Sequence, residues 1–187
     1  ADGIGTGFNL DECEDPVSVL KYLNQVAVDG ANSGKEDRPV GNMAVLSVYH
    51  PKIKEFIICK REGVRRGEIW KFNISVDAPK EFMQAVQEDR VCVLLDGATL
   101  RARDIMKLIA ESAHDCGDPG LVFLDRMNEG NPTPAVGKYV STAPCGEVGL
   151  APGESCQFGY INLAGFVDAR LKDQINIEGL KRLTHLL

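Results

Sequence analysis

Apolar residues along this chain come in short runs whose period switches between that of a helix and that of a strand. Val17, Val19, Leu20, Leu23, Val26, Ala27 and Val28 recur at helical spacing, with Asp15-Pro16 ahead of them as a helix start. A polar, turn-rich loop over 31–41 leads to Met43–Tyr49, whose nearly continuous apolar character predicts a buried strand. His50-Pro51 opens a short helix through Cys59, Ile69–Val76 alternates like a strand, and Pro79–Gln87 is helical with proline early in its first turn. Val91–Leu95 is a further short apolar run, Thr99–Ala113 a helix, and Leu121–Leu124 a short strand. Tyr139–Cys145 reads as extended, Tyr160–Val167 as the last strand, and the run from Ile177 as the start of an amphipathic helix.

Strands alternating with helices predict an α/β fold with a mainly parallel sheet. The 187 residues suffice for one domain with a real core, and no repeat or low-complexity linker divides them. Composition is that of a globular protein, 44% hydrophobic and 26% charged. The net charge of −6 gives no basic surface for nucleic acid. No signal peptide, membrane-spanning run or lipidation motif is present, so the expected location is cytoplasmic, with no membrane partner. Six cysteines, at 13, 59, 92, 116, 145 and 156, show neither CxxC nor zinc-like spacing, which predicts reduced thiols and no metal site.

Ala143-Pro144-Cys145-Gly146-Glu147 carries the candidate chemistry. On an extended segment, residues two apart share a face, which would set the Cys145 thiol beside the Glu147 carboxylate. A second thiol, Cys156, follows ahead of an apolar run. The competing readings are a buried structural cysteine and a solvated loop glutamate. Gly3-Ile4-Gly5-Thr6-Gly7 has the glycine density of a phosphate cradle, but no Lys-Ser/Thr follows it.

Several blocks then occur in one order: the glycine motif at 3–9, Pro16-Val17-Ser18, the segments at 50–57 and 72–76, 117–125, Asn131-Pro132-Thr133-Pro134, Pro144-Cys145-Gly146-Glu147, and Glu154-Ser155-Cys156 through Asn162-Leu163. Together they resemble the catalytic subunit of ribonucleotide reductases, most closely the adenosylcobalamin-dependent class II type. The resemblance implies a ten-stranded α/β barrel, of which this chain would form about half within one partial catalytic domain. It implies radical reduction of ribonucleotides with adenosylcobalamin as cofactor, a ribonucleoside di- or triphosphate as substrate, and a thiol reductant such as thioredoxin. It also implies that the remaining barrel comes from further sequence, a complementing chain or a homodimer.

Residue by residue, the resemblance makes Cys145 the thiol that becomes a radical and takes the 3′-hydrogen of the ribose. Glu147 is then the general base and Cys156 one of the two reducing thiols. The family places its second reducing cysteine upstream of the glycine motif. Cys13 is a poor replacement within its acidic run Asp11-Glu12-Cys13-Glu14-Asp15. Gly146 and position 143 belong to the substrate contact, but Ala143 stands where the family has an asparagine. Asn131 and Asn162 are the amides considered as substitutes. Ser18 is a candidate for a phosphate or sugar contact. Arg38 marks the effector loop, where Pro39-Val40 departs from the expected Arg-Gly. Two readings stay open: a reductase core, and a degenerate or truncated homologue without turnover of its own, acting as a structural or complementing part.

Overall fold

A computed structural model describes residues 5–34, 40–66, 68–155, 159–168 and 174–186. The chain divides into two compact units, 1–154 and 155–187. The first is a parallel α/β layer. Its elements are β1 (Thr6–Asn9), α1 (Pro16–Asn32), β2 (Asn42–Ser47), α2 (Ile53–Arg66), β3 (Phe72–Asp77), α3 (Lys80–Gln87), β4 (Val91–Val93), β5 (Thr99–Arg101), α4 (Ala102–Cys116), β6 (Gly120–Val122), α5 (Leu124–Glu129), β7 (Ser141–Thr142) and β8 (Gly149–Leu150). Strands β1, β2, β3 and β6 form one sheet in that order, every pair parallel, as part of an α/β barrel requires.

Both sheet faces are covered, which explains why β2 reads as a continuous apolar run rather than an alternation. Phe8, Ala44, Leu46, Phe72, Ile74 and Val76 join Leu20, Ile53, Phe56, Phe82, Ile105 and Ile109 from the helices in the main core. The second face carries Met43 and Val45, packed with Val122, Leu124 and Met127. In register, Gly7, Met43 and Asn73 form one row of that face, and Asn9, Val45, Ser75 and Gly120 the next.

Helix ends follow local chemistry. Asp15 caps α1 by accepting the Ser18 amide, with Pro16 in the first turn, where its missing N–H costs nothing. Gly117 ends α4 in the left-handed region at φ 83°. Some expectations differ. The segment 99–101 is strand rather than helix, because Asp96 and Gly97 build a tight turn that folds β5 back on β4. Tyr160–Val167 forms a 3-10 turn over Leu163–Phe166, capped by Asn162, with only Val167–Asp168 extended (β9). Its partner in the second unit, β10 (Gln174–Ile175), is just two residues long, so no ladder supports a longer strand. The unit closes with α6 (Ile177–Leu186). Among the described residues no helix is long and apolar enough to cross a membrane.

Candidate active site

β7 and β8 are the arms of a short antiparallel hairpin whose tip is Pro144-Cys145-Gly146-Glu147. The Gly146 amide donates to the Ala143 carbonyl at 2.9 Å, and the Ala143 amide to the Val148 carbonyl at 3.0 Å. Ala143–Gly146 is thus a β-turn with proline at its second position, where a fixed φ favours turning. Gly146 then adopts φ 80°, which a side chain would resist. Cys145 and Glu147 are therefore not neighbours on a strand face. A turn, rather than alternation, places both at one exposed tip.

The hairpin lies across the second face of the sheet, running from the C-terminal to the N-terminal ends of the strands. Asn9 donates its side-chain amide to the Val140 carbonyl at 2.9 Å. Asn128 brackets Tyr139, donating to its carbonyl at 3.0 Å and accepting its amide at 2.8 Å. Asn73 donates to the Pro144 carbonyl at 2.7 Å. Reasoning from the sequence alone misses these three anchors. The available signal is asparagine, a poor strand former, inside the otherwise strand-like β1 and β3.

Gly5 and Gly7 of the glycine motif serve this crossing, while Gly3 and Ile4 lie outside the described residues. A Cβ on Gly7 would stand 2.1 Å from the Thr142 carbonyl oxygen and 2.9 Å from Ser141 Oγ. One on Gly5 would meet the Pro144 ring at 2.8 Å, and one on Gly41 would meet it at 3.0 Å. Gly7 therefore lets two backbones touch and Gly5 makes room for the Pro144 ring, so phosphate binding is not needed to explain them. Gly7→Ala is expected to lift the hairpin, because a backbone oxygen cannot swing aside as a side-chain end can. The cost is about 1–3 kcal/mol, read by urea unfolding, together with faster proteolysis near Cys145. A variant as stable and as protease-resistant as the parent would show that the hairpin does not rest on β1.

The other residues singled out by the sequence spread out. Ala143 is buried, 1% exposed, and its backbone closes the turn. Asn131 is committed within its own loop, donating to the Gly137 carbonyl and accepting the Thr133 amide. Asn162 caps the 3-10 turn of the second unit through the Ala164 amide. Ser18 sits on the first turn of α1 beyond the C-terminal end of β1, its hydroxyl donating to Asp15 at 2.6 Å. That hydroxyl and the Ser18 amide hold the Asp15 carboxyl below its ordinary range. Ser18 is thus at the far edge of the sheet from the Cys145 tip, as is Cys13, whose carbonyl meets His50 Nε2. Arg38 and Cys156 lie outside the described residues.

Other thiols are unsuited to chemistry at this tip. Burial pushes Cys59 up to about 12 and also raises Cys92. Cys116 donates to the carbonyls of Ser112 and Asp118 at the end of α4. Cys145 is the free cysteine that the described residues leave exposed.

One carboxyl at the C-terminal end of β3 is strongly perturbed. Burial raises Asp77 from 3.8 to about 6 against the opposing Leu124 N–H bond, and the nearby Asp11 and Asp125 carboxylates raise it further. The folded state thus holds the Asp77 proton more tightly than the unfolded chain. Stability from this group is fully present below about pH 4 and is lost as pH rises through about 6. Asp77→Asn keeps the acceptor for Leu124 and removes that slope. The variant is expected to be more stable at pH 7 by about 1 kcal/mol, a figure reduced for partial solvent screening. Thermal melts of both proteins from pH 4 to 7 check this, and parallel curves would refute it.

Comparison with known proteins agrees with the parallel α/β plan. The profile of the ribonucleotide reductase barrel domain matches residues 10–187. The vitamin B12-dependent ribonucleoside-diphosphate reductase of Mycobacterium tuberculosis (strain ATCC 25618 / H37Rv) is 40% identical over 155 residues, covering 80% of this chain and 21% of that protein. The protein of the same description from Thermoplasma acidophilum is 38% identical over 185 residues, covering 88% of this chain and 24% of its own length. The vitamin B12-dependent ribonucleotide reductase of Rhodopirellula baltica is 28% identical over 180 residues, covering 81% and 17% respectively. The chain thus spans about a fifth to a quarter of the length of the two former relatives.

Proposed function

The chain belongs to the ribonucleotide reductase barrel-domain family, and from that premise we propose that it is part of the catalytic barrel of an enzyme reducing ribonucleotides to 2′-deoxyribonucleotides. The observation that carries the reading is the exposed Cys145 thiol on a turn pinned by backbone and asparagine contacts to one sheet face. A hydrogen-transferring thiol must be accessible yet fixed in place, since misplacement of a reacting group by about 1 Å can cost a hundredfold in rate.

In this reading Cys145 Sγ, as a radical, takes the 3′-hydrogen of the ribose and later returns it. Glu147, exposed at the same tip, accepts the 3′-hydroxyl proton as the 2′-hydroxyl departs as water. Two thiols supply the two electrons and two protons and become a disulfide, and an external thiol reductant restores them. Cys156 is the candidate for one of these thiols. The sum balances as ribonucleotide plus two thiols giving 2′-deoxyribonucleotide, water and one disulfide.

Adenosylcobalamin is the cofactor that the names of the relatives point to. When bound, it supplies the organic radical that removes the hydrogen atom from the thiol. A free thiol on a turn pinned to the sheet offers the hydrogen atom that such a radical removes.

A second reading, a degenerate homologue acting as a structural part, is favoured by Ala143. Its methyl group is buried where the related enzymes are expected to carry a hydrogen-bonding amide. One experiment separates the two readings. The full-length protein is incubated with adenosylcobalamin, a dithiol and ribonucleoside di- or triphosphates, and the nucleotides are resolved by chromatography. Formation of 2′-deoxyribonucleotide supports the reductase, and unchanged substrate with a folded protein supports the degenerate homologue.

A further inference from the structure

The peptide bond between Pro144 and Cys145 is the central peptide of the Ala143–Gly146 turn. In a β-turn this peptide has two orientations, related by a rotation of about 180°, which distinguish type I from type II. Type II demands positive φ at the third turn position, here Cys145. Among the described residues Asp89 is the non-glycine residue with positive φ, so Cys145 holds the other orientation. Proline at the second position is compatible with both and does not choose between them.

The Cβ of Cys145 already disfavours type II, and Asn73 adds a contact that holds the carbonyl of that peptide in place, its Nδ2 donating to Pro144 O at 2.7 Å. Asn73 is itself firmly placed. Its neighbours on β3 are held by a buried ion pair, the Phe72 carbonyl by Lys60 Nζ at 2.6 Å and the Ile74 amide by Asp118 at 3.2 Å. The Asn73 side chain is exposed, fills no core, and meets a residue 71 positions away in sequence.

We propose that Asn73 is a positioning residue for Cys145, fixing the Pro144–Cys145 peptide and thereby the direction in which the thiol points. That it serves hydrogen transfer rests on the function proposed above; that it sets the turn does not. Ala143, which has no polar side-chain atom, cannot perform this task from within the hairpin.

Amide hydrogen exchange of Gly146, whose N–H closes the turn, reads the effect in the chain itself. Asn73→Ala is expected to speed Gly146 exchange about 5-fold, the worth of one net hydrogen bond, and to leave the Ile74 amide unchanged. Asn73→Asp has the same shape but, when ionised, only accepts. It should match the alanine variant at pH 7 and return toward the parent as pH falls through about 4, where a protonated carboxyl can donate to Pro144 O. A side chain acting by its bulk alone, without donating, would show no such rescue. Unchanged Gly146 exchange in Asn73→Ala, equal acceleration at Ile74, or an Asn73→Asp variant without pH-dependent rescue would each overturn the proposal. In the full-length protein, Asn73→Ala is expected to lower kcat at least about tenfold with KM little changed, and an unaltered kcat overturns the positioning role. If the parent makes no deoxyribonucleotide, the proposed reaction fails, and Gly146 exchange alone decides whether Asn73 sets the turn.

Discussion

Full-length protein carrying Cys145→Ala is expected to form no detectable 2′-deoxyribonucleotide under conditions in which the parent turns over. The loss should be roughly 10⁴-fold or more, the scale seen when an indispensable reacting side chain is removed. No other thiol can take over within the described residues of the first unit. Cys59 and Cys92 are pushed up by burial, Cys116 is bonded at the end of α4, and Cys13 lies at the opposite edge of the sheet. The substitution should leave the fold alone, since Cys145 is exposed and the turn is closed by backbone bonds of its neighbours. Unfolding free energies of the two proteins are expected to agree within about 0.5 kcal/mol. Chromatography of the nucleotides with a parallel melt separates lost chemistry from lost structure. Residual turnover of a few per cent in a folded variant would exclude Cys145 as the hydrogen-transferring thiol.

Lys60→Met is expected to give the largest loss of stability. Lys60 Nζ lies 2.5 Å from Asp118 Oδ2 and 2.6 Å from the Phe72 carbonyl, and its side chain is 7% exposed against 16% for Asp118. Methionine restores most of the volume but leaves a largely buried carboxylate and a carbonyl without their cation. Breaking one side of such a pair typically costs about 3–5 kcal/mol, because the remaining charge has lost its water and its partner. That is a large share of the roughly 5–15 kcal/mol that holds a domain together. Urea unfolding of parent and variant measures the difference. Replacing both partners by apolar residues should recover much of it, whereas a loss under about 1 kcal/mol for Lys60→Met would show that solvent already reaches the pair. The functional consequence follows from position, since the pair holds both neighbours of Asn73. A destabilised pair should therefore also loosen the Cys145 turn.

The unequal legibility of the chain has physical causes. Strands β2 and β3 and helices α1, α3 and α4 are readable because each carries its own apolar pattern, with Val17, Leu20, Leu23 and Ala27 in α1 or Ile105 and Ile109 in α4 turned to the core. β5 escapes such a reading because Thr99–Arg101 continues smoothly into α4, and the Asp96-Gly97 turn outweighs that continuity. The run 160–167 alternates like a strand but pairs only over Val167–Asp168. A period of two records which side chains could share a face, not whether a ladder exists to use it.

The same distinction divides the site. By itself the sequence determined the parallel α/β plan, the ordered blocks of the reductase family, and Cys145 with Glu147 as the pair to examine. These depend on local period and on residue identity, which a linear chain displays. Only the tertiary structure decided that the pair rides on a turn rather than a strand, and that the glycine motif is a seat for the hairpin. It likewise showed that Asn131 is occupied elsewhere and that Asn73 is the amide beside Cys145. The contacts responsible join Asn9 to Val140 across 131 residues and Asn73 to Pro144 across 71. Such pairings are selected by the packing of whole faces, so no local pattern announces them.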